Sequence, residues 1–229
     1  MATAIVTGGS KGFGRAVVAA LVDDGWDVVT DARDAGALTA TAAALGPRVH
    51  PVPGDVEDPA HRAALVAAGR ALGDVRLLLN NASALGPSPL PRLRDLDPSE
   101  LARLHATNVV APLALVQLVL PLLGRTGAIV NVTSDAAVEP YEGWGGYGST
   151  KAALEQLSNV LAAEEPGVRV WWLDPGDMRT DMHQAAFPGE DISDRAQPDD
   201  VAPAVRALLA QRPPSGRVRA ADLLAEVGR

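Results

Sequence analysis

Short runs of β-branched and aliphatic residues alternate along this chain with longer stretches whose apolar positions recur at helical spacing. Ala4-Ile5-Val6-Thr7 reads as a strand, a glycine turn follows, and the pattern from about Gly14 to Asp24 predicts a helix. Val28-Val29 predicts a second strand, Ala35 to Leu45 a helix, Val49 to Pro53 a third strand and Pro59 to Leu72 another helix. Leu77-Leu78-Leu79 supplies a fourth strand, and Ser99 to Leu123 reads as one long helical stretch. The strand Ala128 to Val132, a helix beginning near Tyr147, the strand Val168 to Leu173, a helix near Val201 to Ala210 and a last strand at Gly216 to Arg219 complete the series. Strands joined by helical crossovers lie parallel, and right-handed crossovers put helices on both faces. The expected fold is therefore α/β, a doubly wound parallel sheet of about seven strands in a three-layer α/β/α sandwich.

At 229 residues the chain fits a single domain, residues 1–229, and 47% hydrophobic residues are enough for a sizeable core. Two stretches interrupt the alternation: Asp135 to Gly146, rich in glycine, and Arg179 to Asp200, which is polar and reads as a substrate lid over about 179–200. The net charge of −8 disfavours nucleic acid as a partner, and the absence of cysteine removes disulfides, thiolate catalysis and cysteine-bound metal. Four scattered histidines give no metal-ligand spacing, so no metal is expected. Val109 to Leu123 is apolar but short, and Pro112, Gln117 and Pro121 interrupt it, so a buried helix is expected there and no membrane partner. The first residues lack the basic start and cleavage site of a secretory signal, so the expected location is cytoplasmic.

Candidate chemistry begins at Thr7-Gly8-Gly9-Ser10-Lys11-Gly12-Phe13-Gly14, between the first strand and first helix. Glycines there let backbone approach a pyrophosphate, and a helix N-terminus favours its charge, the arrangement of a Rossmann-type sheet. Further along stand Asn80-Asn81-Ala82-Ser83, Asn108, Ser134, Tyr147-Gly148-Ser149-Thr150-Lys151 and Pro175-Gly176, with Met178 and Thr180 beyond. With the spacing TGxxxGxG of Gly8, Gly12 and Gly14, this ordered set resembles the short-chain dehydrogenase/reductase family, in its compact single-domain branch, over nearly the whole chain. The resemblance implies an NAD(P)-dependent oxidoreductase acting on carbonyl or alcohol groups of a small molecule. It implies Asn108, Ser134, Tyr147 and Lys151 as catalytic residues. It implies cofactor contacts at Gly8, Ser10, Lys11, Gly12, Phe13, Gly14, Asp55, Val56, Asn81, Ala82, Tyr147, Lys151, Pro175, Gly176, Met178 and Thr180, and at Ser83, which stands where relatives carry a final glycine.

The end of the second strand reads Thr30-Asp31-Ala32-Arg33. An acid here bonds a free ribose 2′-hydroxyl, whereas a base pairs with a 2′-phosphate. Counted from Gly25, the acid position of NAD-preferring relatives falls on Ala32 and the following, often basic, position on Arg33, with Lys11 as a second cation. NADP(H) is the expected cofactor, with NAD(H) open, because shortening the strand by one residue would bring Asp31 to the ribose.

Tyr147 and Lys151 lie one helical turn apart and share a face. Bringing a tyrosine close to neutrality needs about 4 kcal/mol of preference for the phenolate, which a cation about 4 Å away at an effective dielectric near 20 supplies. Tyr147 is thus expected to be acidified by Lys151 together with the nicotinamide, as general acid or base, with Ser134 holding the reacting oxygen. Pro112, four residues after Asn108, has no N–H for the Asn108 carbonyl, which the resemblance implies holds a water linking Lys151 to solvent. Tyr141, Trp144, Met182, His183 and Phe187 are candidates for substrate contact.

Two other functions compete: a ketoacyl reductase serving an acidic carrier protein, which the net charge disfavours although Arg92, Arg94 and Arg103 could form a basic rim locally, and a dinucleotide-sensing protein without turnover, against which Ser134, Tyr147 and Lys151 are all retained. The resemblance also implies a homodimer or homotetramer.

Overall fold

The computed structural model describes residues 1–124 and 126–227. Seven parallel strands form one sheet in the order β3-β2-β1-β4-β5-β6-β7: β1 (Thr3–Val6), β2 (Asp27–Ala32), β3 (Val49–Pro53), β4 (Val75–Asn80), β5 (Ala128–Val132), β6 (Arg169–Asp174) and β7 (Gly216–Arg219). The helices are α1 (Gly12–Asp23), α2 (Ala35–Leu45), α3 (Pro59–Leu72), α4 (Pro98–His105), α5 (Ala111–Val119), α6 (Gly145–Glu164), α7 (Asp181–Ala186), α8 (Pro198–Val201), α9 (Pro203–Gln211) and α10 (Ala220–Val227). The fold is the expected doubly wound, Rossmann-type sandwich.

Successive strand residues face opposite sides, so a sheet covered on both faces buries every position. Ala4 and Val6 of β1, Leu77 and Leu79 of β4, and Ala128 and Val130 of β5 pack in one core with Val17 and Leu21 of α1 and Val205 and Leu208 of α9. Ile5, Leu78 and Ile129, their alternates, pack in the other with Leu65 of α3 and Leu115 and Val119 of α5. Asp34, Asp58 and Asp97 start α2, α3 and α4 by accepting from the N–H groups of Ala37, Ala60 and Ser99.

The long helical stretch expected from Ser99 to Leu123 runs without a break over Pro98–Leu122, and what the pattern did not announce is its change of pitch: α4 passes through a π turn at Ala106–Val110 into α5 and ends in a 3₁₀ turn at Leu120–Leu122. Pro112 has no N–H to offer one turn back, and the helix widens so that the Ala111 N–H reaches the Ala106 carbonyl. β2 also runs further than Val28-Val29, through Asp31 and Ala32, and pairs with β3 along its length. The polar stretch after β6 contains α7, and α10 follows β7; the sequence pattern announced neither.

Candidate active site

Strand order reverses between β1 and β4, and at such a switch point open α/β sheets bind ligands outside the strands' C-terminal ends. A cleft of about 1100 Å³ opens there. Every residue expected to contact the dinucleotide lines it, as do Ser134 and all five substrate candidates; Asn108 does not and stands behind the wall.

The glycine turn shows why it must be glycine. A Cβ on Gly14 would lie 2.3 Å from the Gly8 carbonyl oxygen and 2.5 Å from Asn81 Nδ2, so α1 starts flush against the turn. Asn81 Nδ2 donates to the Thr7 and Gly8 carbonyls, while Thr7 Oγ1 accepts from the N–H groups of Asn81 and Ala82, locking the segment after β4 onto the segment after β1. No side chain caps the N-terminus of α1 and no acid lies in its first turn, so its free N–H groups and dipole favour an anion. These features fit a dinucleotide pyrophosphate.

At the end of β2, Asp31 is turned inward and only 1% exposed; its Oδ1 accepts from the Gly8 N–H at 2.7 Å, and its Oδ2 lies 2.9 Å from His61 Nε2. Arg33 is exposed on the cleft and has no ion-pair partner among the described residues. Lys11, the second expected cation, pairs instead with Asp181 of α7 at 2.8 Å, both side chains mostly exposed. Asp55, expected at the adenine, lines the cleft while its Oδ1 accepts from the Glu57 N–H. Thr180, expected on the cofactor, lines the cleft too, but its Oγ1 also caps α7 by accepting from the His183 N–H at 3.2 Å.

α6 carries Tyr147 and Lys151 on its buried face, at 8% and 2% exposure. Lys151 Nζ lies 5.3 Å from the centre of the Tyr147 ring and donates to the Val132 carbonyl at 2.8 Å. Burial pushes the Tyr147 phenol above its ordinary value, a hydrogen bond with Ser83 opposing and Asp135 and Asp174 adding, so the protein's own groups do not acidify it. Burial likewise pulls Lys151 down, to about 8. Desolvation outweighs the single cation because both groups lie deep in the wall.

Ser134 follows β5, and its Oγ donates to Asp135 Oδ1 at 3.0 Å and accepts from the Ala136 N–H. Asn108 is 1% exposed; its Oδ1 accepts from Ser83 Oγ and the Ala84 N–H, and its Nδ2 donates to Thr150 Oγ1 and the Ala84 carbonyl. Its side chain therefore ties the β4 segment to α6.

At the far end, Trp144 meets Tyr147 edge-on at 5.8 Å and Phe187 at a tilt at 5.9 Å, and the His183 ring lies tilted against Phe187 at 4.9 Å. Tyr141 donates to Asp135 Oδ2 at 3.0 Å, and Met182 is exposed at the mouth. Sequence reasoning missed Asp135, Leu85 and Asp174, which line the same cleft, and Arg217 of β7, whose guanidinium joins Asp174, Glu155 and the Ser134 carbonyl. Asp135 and Asp174 adjoin Ser134 and Pro175 in the chain, which was a usable signal; Arg217 acts across the sheet and left none.

A switch-point cleft with a glycine phosphate turn at one end and a buried tyrosine-lysine pair at the other defines an oxidoreductase that uses a nicotinamide dinucleotide on CH–OH or C=O groups. The sequence profile of the short chain dehydrogenases matches residues 2–191. Serine 3-dehydrogenase of Agrobacterium fabrum is 37% identical over 185 residues, 79% of this chain and 73% of that protein. Sepiapterin reductase of Meriones unguiculatus is 37% identical over 202 residues, 81% of this chain and 77% of that one. Among solved structures, a short-chain dehydrogenase from Shigella flexneri complexed with NADP superposes with a TM-score of 0.87 at 27% identity, covering 95% of this chain and 96% of that one. The chain belongs to the short-chain dehydrogenase family.

Proposed function

We propose that this chain is an NADP(H)-dependent carbonyl reductase or alcohol dehydrogenase in which Tyr147 is the general acid and base. The observation that carries the reading is the buried pair on α6, Tyr147 with the Lys151 ammonium 5.3 Å from its ring, at the end of a cleft whose other end is the glycine turn. A nicotinamide held in this cleft would supply or accept the hydride. Tyr147 gives its phenolic proton to the developing alkoxide in reduction and takes the hydroxyl proton in oxidation. Burial favours the protonated phenol, the form required as acid in reduction; in oxidation the Lys151 ammonium, beside the positive ring of an oxidised nicotinamide, would favour the phenolate required as base. Ser134 Oγ, at the mouth of β5, orients the reacting oxygen, and Asp135 competes for its proton until substrate arrives. The Asn108 carbonyl, denied an i+4 donor by Pro112, seats the water that reloads Lys151.

Preference for the phosphorylated dinucleotide is supported by the end of β2, where Asp31 is occupied inside the fold and Asp34 caps α2, while Arg33 on the cleft has no ion-pair partner among the described residues. The segment 179–200, with α7 and the His183–Phe187 contact, covers the substrate end as a lid. We further infer a homodimer or homotetramer, since Val110, Leu113 and Leu118 form an exposed apolar stripe at helical spacing with Val160 of α6 also exposed. Purified protein is assayed with NADPH and with NADH against a panel of ketones and aldehydes. Turnover with the Michaelis constant for NADPH below that for NADH is expected; a lower constant for NADH rejects the cofactor assignment, and no turnover with any member rejects the activity.

A further inference from the structure

The carboxylate at the end of β2 is placed where a ribose-binding acid would be sought, yet it points the other way. By the alternation of the strand Asp31 faces α3, as Val29 does, and its side chain is 2% exposed. A buried carboxylate is costly unless hydrogen-bonded donors surround it. Here one oxygen takes the backbone N–H of Gly8, in the phosphate turn, and the other faces Nε2 of His61, in the first turn of α3. A carboxylate only accepts, so this imidazole nitrogen carries its proton toward Asp31.

The fold makes room for the arrangement. A Cβ on Gly54 would lie 2.2 Å from His61 Nδ1, so the ring packs directly on the backbone that leads into Asp55 and Val56. Gly9 is fixed from the same strand, its N–H donating to the Asp31 carbonyl at 3.0 Å. Asp31 thus connects the glycine turn on one side of the cleft with the β3–α3 segment on the other. A buried pair of this kind contributes little net stability compared with an apolar pair of the same shape, which directs attention to what it holds in place.

We propose that Asp31 and His61 are positioning residues for the dinucleotide: together they set the Gly8 peptide and the spacing of the two walls, and they recognise no part of the ribose. This rests on the reading of the cleft as a dinucleotide site. Loss of a buried hydrogen bond to a charged group corresponds to about ten- to a hundredfold in binding. Asp31→Val is therefore expected to raise the dissociation constants of NADPH and NADH by the same factor, about tenfold or more, with kcat at saturating cofactor nearly unchanged. Asp31→Asn, which keeps an acceptor for Gly8 and lets His61 accept in its other tautomer, is expected to bind as the parent does. The His61 pair gives a second arm should Asp31→Val not fold: His61→Leu weakens both cofactors, and His61→Gln, whose amide nitrogen can take the place of Nε2, restores them.

Binding is read by titration calorimetry, with thermal melting on each variant. Parent-like binding of both dinucleotides by folded Asp31→Val or His61→Leu overturns the proposal. So does a loss confined to NADH, because that is the signature of a carboxylate on the 2′-hydroxyl. Failure of the parent protein to bind either dinucleotide overturns the reading of the cleft itself, a separate outcome.

Discussion

At the scale of the residue, Lys151 is where burial and charge are most opposed. Its ordinary value lies near 10.5 and burial brings it to about 8, so between those values the unfolded chain holds a proton that the folded chain has released. Stability is accordingly expected to rise with pH from about 8 toward 10, and then to fall as the unfolded chain loses the Tyr147 proton that the folded chain keeps. The chain has only two lysines, and Lys11 is exposed, so chemical denaturation of Lys151→Met beside the parent isolates the effect. A rise of equal slope in both proteins would show that Lys151 is not its source. The residue scale was also where the sequence was most informative about the site, because Tyr147, Lys151 and the glycines are recognised by type and spacing. Which way a side chain points was not readable there: Asp31 stood in the chain beside the ribose position and lies buried under the glycine turn.

At the scale of the element, the central strands β1, β4 and β5 were legible because a sheet covered on both faces demands uninterrupted apolar runs, and β3, β5, β7, α2 and α3 occupy the residues expected of them. The long helix was legible too, but the π turn inside it was not, since apolar periodicity carries no record of hydrogen-bond pitch; the proline that gave a reason for a vacant carbonyl also widened the helix. Pro112→Ala supplies the missing N–H. The π turn at Ala106–Val110 is expected to tighten, and kcat to drop several-fold with the melting temperature held or raised. Unchanged kcat would remove the Asn108 carbonyl from the proton path. α7 escaped notice because six residues are too few for periodicity to register, and its start depends on the Thr180 cap.

At the scale of the whole molecule, charge and apolar surface divide the work. Lys11, Arg15 and Arg33 line the dinucleotide end of the cleft together with the acids Asp34 and Asp55, and Asp135, Glu142 and Asp177 line the cleft near Ser134 and Pro175. Arg33→Ala is expected to raise the Michaelis constant for NADPH about tenfold while leaving that for NADH within about twofold, as a charge-assisted contact to a 2′-phosphate requires. An equal effect on both cofactors would place Arg33 elsewhere on the nucleotide. The exposed stripe of Val110, Leu113 and Leu118 predicts a distinct behaviour in solution: the parent sediments as a dimer or tetramer, and Leu113→Glu with Leu118→Glu shifts it to smaller species. A monomeric parent at micromolar concentration would contradict the assembly. Neither property was accessible to composition alone, because a net charge of −8 says nothing of where the charges lie.

Proton transfer by Tyr147 is the claim on which the rest depends, and Tyr147→Phe tests it most directly, since only the hydroxyl is removed. With a carbonyl substrate and saturating NADPH, kcat is expected to fall by about a hundredfold or more while NADPH still binds with nearly the parent affinity. Turnover equal to the parent's, at equal cofactor occupancy, would contradict the mechanism.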